Sequence, residues 1–307
     1  MKKLIFLLFN SSFLKRWSKL SFNIFEFRHK KSLKMLQDKV IGIYCIIDDI
    51  LQQMNHKEHN SRKFSDSQVL TTAIISAMYF NGNQSSALSY MRSHIFDHTL
   101  NKSGFTKRLH RMKDFMLLLF FEIGRVFKYI HCEMEYIIDS FPVKVCQNIR
   151  INRCKLLQGE QFRGYNASKR EYFYGVKVQL VTTKDGIPVE MYFVSGREHD
   201  SQILQRMYHD LPPESSLYGD SGYTDYEIED LFEQVEQVDL QITRKSNSKR
   251  KDKPYTAYIK ETMRKIIETS ISQICSLMPK RISAVTTNGF IIKLILFVMA
   301  FQIKHLI

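Results

Sequence analysis

The sequence predicts an α/β protein in which a mixed sheet is flanked by helices and preceded by an all-helical region. Three observations predict it. Apolar residues recur at three-and-four spacing up to about Ile130, alternating and short apolar runs take over from Glu135, and helical spacing returns in the last quarter of the chain. At 307 residues the chain is long enough to bury a core and hold two domains.

In the helical region, Ile43, Ile46, Ile47, Ile50, Leu51 and Met54 form one stripe. Ser65 followed by Gln68 reads as a capping box that opens a helix through Val69, Ile74 and Met78. Phe115 to Phe121 and Val126 to Ile130 form a further apolar helix. Tyr136–Cys146 is a first strand with an irregular end at Pro142, and Tyr172–Thr183 a second with Tyr172, Tyr174, Val176, Val178 and Leu180 on alternate positions. Asp185-Gly186 signals a hairpin, with Ile187–Val194 returning. Asp200 is placed to cap a helix containing Ile203, Leu204 and Met207, stopped by Pro212-Pro213. Ser216–Gly219 is a short strand leading to Asp220, followed by a helix from about Tyr226 to Val235 and a strand at Asp239–Thr243. A basic loop and a final helical region complete the chain. Three strands joined antiparallel, then helix, strand, helix, strand, helix, is the order of the RNase H-like fold. The domains expected are a basic, apolar extension over 1–34 (disordered or not native, with Met35 an alternative start), a helical DNA-binding domain over 35–132, and a catalytic domain over 133–307.

Net charge is +14 and the isoelectric point about 9.4, which points to a polyanionic partner. Residues 1–34 hold nine Lys/Arg against Glu26, so +8 of that charge lies there and the remaining excess is mild. Five cysteines without close spacing favour free thiols in a reducing, cytoplasmic setting, and no Cys/His grouping has zinc-site spacing. Leu4 to Phe9 imitates a secretory leader but lacks a cleavage site. Phe290 to Ile303, interrupted by Lys293, reads as a buried helix, so no membrane role is expected. A membrane anchor built from residues 1–34 is the least favoured alternative.

Three acids stand where that fold order requires them: Asp139 after the run Tyr136-Ile137-Ile138, Asp220 after the short strand, and Glu268 in the late helix. Phosphoryl transfer of this kind uses two divalent cations about 3.5–4 Å apart, and magnesium accepts carboxylate oxygens while keeping several waters. Each acid alone also has a plain structural reading. Asp139 and Asp220 suit turns, and Glu268 suits an exposed pair with Arg264. Glu261 shares the helix face of Glu268, so periodicity does not choose between them. Beside the last acid, the stretch 244–253 carries Arg244, Lys245, Lys249, Arg250 and Lys251, which with Arg264 are candidate DNA contacts. A second basic stretch, 144–170, lies between the first two strands. His199 and Asp200 are second-tier candidates for moving a proton or orienting water. Asp48-Asp49 reads as solvent-facing.

At these residues the chain resembles DDE transposases of the insertion sequence 982 type. The resemblance is carried by Asp66-Ser67, Asn81-Gly82-Asn83-Gln84, YIIDSFPVKVCQNIRI (136–151), GYNASKREYFYGVKVQL (164–180), GIPVEMYFVSG (186–196), LYGDSGYTDYEIED (217–230), NSKR (247–250), RKIIET (264–269) and TTNGF (286–290). It implies an RNase H-like catalytic domain with Asp139, Asp220 and Glu268 as metal-holding acids, and so chooses Glu268 over Glu261. It further implies two Mg²⁺ ions with Mn²⁺ able to substitute, DNA partners (terminal inverted repeats and target), and a homodimer or larger paired-end complex. The reaction implied frees a 3′-hydroxyl at each element end and joins it to target DNA. The wider group's Tyr and Lys positions around the last acid hold Glu261 and Cys275 here. Alternatives are an RNase H-like nuclease or resolvase without strand transfer, and a catalytically silent DNA-binding protein.

Overall fold

The computed structural model describes residues 35–130, 134–166, 169–207 and 210–307. The expected extension over 1–34, the boundary at 132/133 and Cys132 lie outside the described residues. Five helices come first: α1 (Met35–Gln53), α2 (Asp66–Tyr79), α3 (Gln84–His94), α4 (Lys102–Arg111) and α5 (Lys113–Ile130). The α1 stripe is buried as its spacing requires, from Ile43 through Leu51. The capping box forms: Ser65 Oγ accepts from Gln68 N (3.1 Å) and Gln68 Oε1 accepts from Ser65 N (2.8 Å).

The six strands are β1 (Glu135–Cys146), β2 (Arg163–Asn166), β3 (Glu171–Thr183), β4 (Pro188–Ser195), β5 (Ser216–Gly219) and β6 (Asp239–Ile242). β3 pairs antiparallel with β1, β4 and, at its start, β2; β1 and β5 pair parallel, as do β5 and β6. The path β4-β3-β1-β5-β6 is therefore a mixed sheet with β1 at its centre, as the element order predicted. The pairing of β1 stays regular through Pro142, opposite Lys177, and shifts only between Lys144 and Cys146. β3 is half exposed only at its start. From Phe173 it is buried on both faces, because helices cover the sheet. Gly186 turns the β3–β4 hairpin at φ +78, with its N–H donating to Thr183 O. β2, inside the basic stretch 144–170, has too few residues for an alternation signal.

The remaining helices are α6 (Asp200–Arg206), α7 (Tyr226–Leu231, widening into a π turn over Phe232–Glu236), α8 (Pro254–Leu277) and α9 (Thr287–Lys304). α8 packs on β1 and β5, and α9 on α2, α5 and β4. α9 is apolar around most of its circumference and is the one described helix long and apolar enough to cross a membrane. Two thirds of its apolar window is buried against the rest of the protein. Each fully buried Leu, Ile or Phe there contributes roughly 1.5–3 kcal/mol. Polar ties fix this seam: Gln302 Nε2 donates to Phe120 O and Pro188 O, and buried Lys128 of α5 pairs with buried Glu190 of β4 at 2.7 Å. One continuous core thus joins the helical region to the sheet.

Candidate active site

β1 and β5 run side by side with Ile138 opposite Gly219, and the next residue on each is an aspartate. Neighbouring strands lie about 4.8 Å apart, so the register alone sets Asp139 beside Asp220. They line one small pocket, without room for a water molecule, together with Ile137, Ile138 and Gly219 and with Lys260, Arg264 and Ile267 of α8. Asp139 Oδ1 accepts from Ser140 N (2.7 Å). Asp220 Oδ1 accepts from Gly222 N (2.7 Å), which caps the turn Ser221–Tyr223. Burial, above all, pushes the Asp139 carboxyl up to about 7; Asp220 and Asp200 push the same way, while the Ser140 amide and Arg264 oppose.

Lys260, Arg264 and Ile267 recur at helical spacing and turn one face of α8 to the pocket. Glu268 lies one turn beyond Arg264, ion-paired to it at 2.9 Å with its side chain half exposed. Two of the three predicted acids therefore share the pocket, and the third is held outside it by an arginine that lines it. Glu261 instead pairs with Lys265 at 2.9 Å, and neither lines the pocket.

Asp200 does not cap α6. His199 is the N-cap residue and makes no side-chain cap bond. Asp200 Oδ1 instead accepts from Ser140 Oγ (3.0 Å) and Lys177 Nζ (3.3 Å). A Cβ added at Gly222 would lie 2.9 Å from Asp220 Oδ1 and 3.6 Å from Asp200 Oδ2, so Asp200 sits close to the turn that holds Asp220, while His199 is exposed. Gln179 Nε2 donates to the fully buried Tyr223 hydroxyl. Gln179, Tyr223 and Lys260 were not singled out from the sequence. The available signals were a lone amide between Val178 and Leu180, and the one-turn spacing of Lys260 from Arg264.

The basic stretch 244–253 divides. Arg244 makes a bidentate pair with buried Glu229 (both bonds 2.6 Å), and Arg250 does the same with Asp230 (2.8 and 2.9 Å). Both guanidinium groups lie over the Tyr226 ring. Lys245, Lys249 and Lys251 are exposed, with no ion-pair partner among the described residues. Buried Lys260 donates to Ile242 O and Asp252 Oδ1, pinning the loop to the pocket wall.

A second acidic group, His56, Glu58 and Asp66, lies in the helical region. Arg108 and Arg62 occupy it: Arg108 bonds Glu58 and Asp66, and Arg62 bonds Asp66 at 2.8 Å. Burial alone raises the Asp66 carboxyl, but bonds from His56 and Arg108 outweigh it and hold it below the ordinary range. This group is an ion-pair lock with its cations already supplied. Ser67 donates to Asp48 (2.6 Å), which accounts for one of the two acids expected to face solvent. Cys146 and Cys154, both free thiols, lie within hydrogen-bonding reach of each other.

The family model described as Transposase DDE domain matches residues 130–283, half of the chain, and spans Asp139, Asp220 and Glu268. Comparison with curated proteins gave no match. Two solved structures were found. "Mos1 transposase paired-end complex with left transposon end" is 10% identical, covering 77% of this chain and 88% of that one at a TM-score of 0.24. "Crystal structure of a pre-cleavage Mos1 transpososome" is 11% identical, covering 85% and 97% at 0.22.

Proposed function

The chain belongs to the transposase DDE domain family, and from that premise we propose that it cuts the ends of an insertion sequence of the 982 type and joins them to target DNA. The observation that carries the reading is the register of β1 against β5, which sets Asp139 and Asp220 side by side within the family-matched span.

The donor set suits magnesium: carboxylate oxygens without thiolate or imidazole, with like charges close enough to favour a bridging cation. Asp139, Asp220 and Glu268 would hold it, and when bound it supplies Lewis-acid stabilisation of the phosphoryl charge and an acidified attacking hydroxyl. Manganese offers the same chemistry.

The side chains supply the rest. Arg264 balances Glu268 and favours the ionised form of Asp139. When Arg264 swings to a DNA phosphate, Glu268 is released toward the pocket and the pocket widens. Lys260, fixed by Ile242 O and Asp252, keeps one positive charge in the wall throughout. Lys245, Lys249 and Lys251, exposed on the loop that Asp252 ties to Lys260, meet the backbone of the reacting DNA. The acting form is at least a dimer, one active site for each end.

The test is cleavage and strand transfer on duplexes carrying the element's ends, including pre-cut ends. Asp139→Asn and Glu268→Gln each lower turnover by about 10⁴-fold or more, as for members of a group that acts as a unit, with end binding retained. Glu261→Gln stays near wild type. Cleavage surviving in Asp139→Asn, or lost equally in Glu261→Gln, defeats the assignment.

A further inference from the structure

A cleft of about 1370 Å³ lies away from the carboxylates, between the helical region and the far end of β1. Three segments distant in sequence build it: the α2–α3 turn with α4, residues 145–156, and the α8–α9 loop with the start of α9. Its walls carry eight lysines and arginines and no carboxylate, among them Lys107, Arg111, Arg150, Arg153, Lys155 and Arg281. None of the eight makes an ion pair among the described residues, whereas Arg244 and Arg250 of the 244–253 stretch are both neutralised. Lys293 is pushed down by burial and then by the charge of Lys102, as expected where positive charge is unbalanced. Two sequence blocks left without a role at the carboxylates, Asn81-Gly82-Asn83-Gln84 and residues 286–290, border this cleft. Gly82 fits there because φ is +76 and an added Cβ would lie 2.9 Å from the Phe297 ring.

We propose that this cleft is a second DNA-binding site, gripping the phosphate backbone of a double-stranded segment away from the reacting phosphate. It deepens the transposase reading and rests on it for the choice of DNA as the polyanion. A volume above the roughly 300–1,000 Å³ of small-molecule sites fits a polymer better than a metabolite. The lining holds two aromatic rings, Phe297, which belongs to the core, and His110. With no row of Phe, Tyr or Trp to stack successive unpaired bases, a duplex is favoured over a single strand. The walls offer cations, amides and hydroxyls, the groups that bind phosphate without reading sequence.

The test is equilibrium binding of the full chain to a 30-base-pair duplex of arbitrary sequence in EDTA, titrated with salt. Chelation separates grip from cutting, so a failure of the cleft and a failure of the catalytic reading are told apart. Arg150→Gln/Arg153→Gln/Arg281→Gln weakens binding by on the order of 10–100-fold near 0.1 M salt. It also lowers the magnitude of the log–log salt slope by about 2–3, near 0.9 per lost phosphate contact. The all-lysine version of the same triple keeps most of both, and melting curves for both variants match wild type. Unchanged affinity and slope in the Gln triple overturn the proposal. So does a preference for single strands, or a loss confined to Lys245→Gln/Lys249→Gln/Lys251→Gln.

Discussion

The two ends of β1 meet opposite electrostatic worlds. Near its middle, Asp139 stands beside Asp220 in a small, filled pocket; at Cys146 the same strand opens into a basic cleft. Seven residues at about 3.3 Å each separate them by on the order of 20 Å, about six base pairs of duplex. Close spacing of like charges at one end makes a place for cations. Unpaired positive charge at the other makes a place for a polyanion. Chemistry and grip thus sit on one rigid strand, and their distance is set by backbone geometry.

That contrast supposes a stiff frame, and the heaviest blow to it falls on the seam. Lys128→Met removes the cation from buried Glu190 and costs about 3–5 kcal/mol of stability, read from denaturant melts. Because the helical region walls only the cleft, DNA grip weakens before metal binding does; equal loss at both ends breaks the comparison.

The next effect separates the ends by pH. The Asp139 carboxyl sits at about 7 when folded against an ordinary 3.8. Folding therefore favours its protonated form, and the stability this lends the metal-free chain is present at low pH and lost as pH rises from about 4 through about 7. Magnesium must displace that proton, so its affinity falls about tenfold per pH unit below 7. Calorimetry at pH 6 and pH 8 checks this, with proton release at pH 6 that Asp139→Asn abolishes. In His110→Gln, which removes the imidazole from the cleft lining, duplex affinity changes by less than about threefold over the same interval, since lysines and arginines do not titrate there.

The smallest effect is confined to the cleft. Gly82→Ala places a Cβ against Phe297 at positive φ, costing about 1–2 kcal/mol. It shifts duplex affinity in EDTA while leaving Mg²⁺ affinity unchanged; a change in Mg²⁺ affinity would couple the two ends more tightly than one strand allows.

Local pattern was enough to find every strand of the main sheet path, the capping box at Ser65, the buried α9 and the place of Asp139 and Asp220 at the ends of apolar runs, because each depends on period, turn chemistry or strand ends within a few residues. What the side chains of Asp200, Arg244 and Arg250 do was beyond its reach. Asp200 has the spacing of a cap yet bonds Ser140 and Lys177, and the two arginines, exposed loop charges on paper, are taken by Glu229 and Asp230.

The amino-acid order dictated the elements and their succession, since propensity and periodicity act over single turns and pleats. Folding in three dimensions settled the rest: which carboxylate stands beside which, that Arg264 holds Glu268, and that cations from three distant segments share one cleft. Charges act through space with a reach of about 10 Å at ordinary salt, and no window along the chain measures that distance.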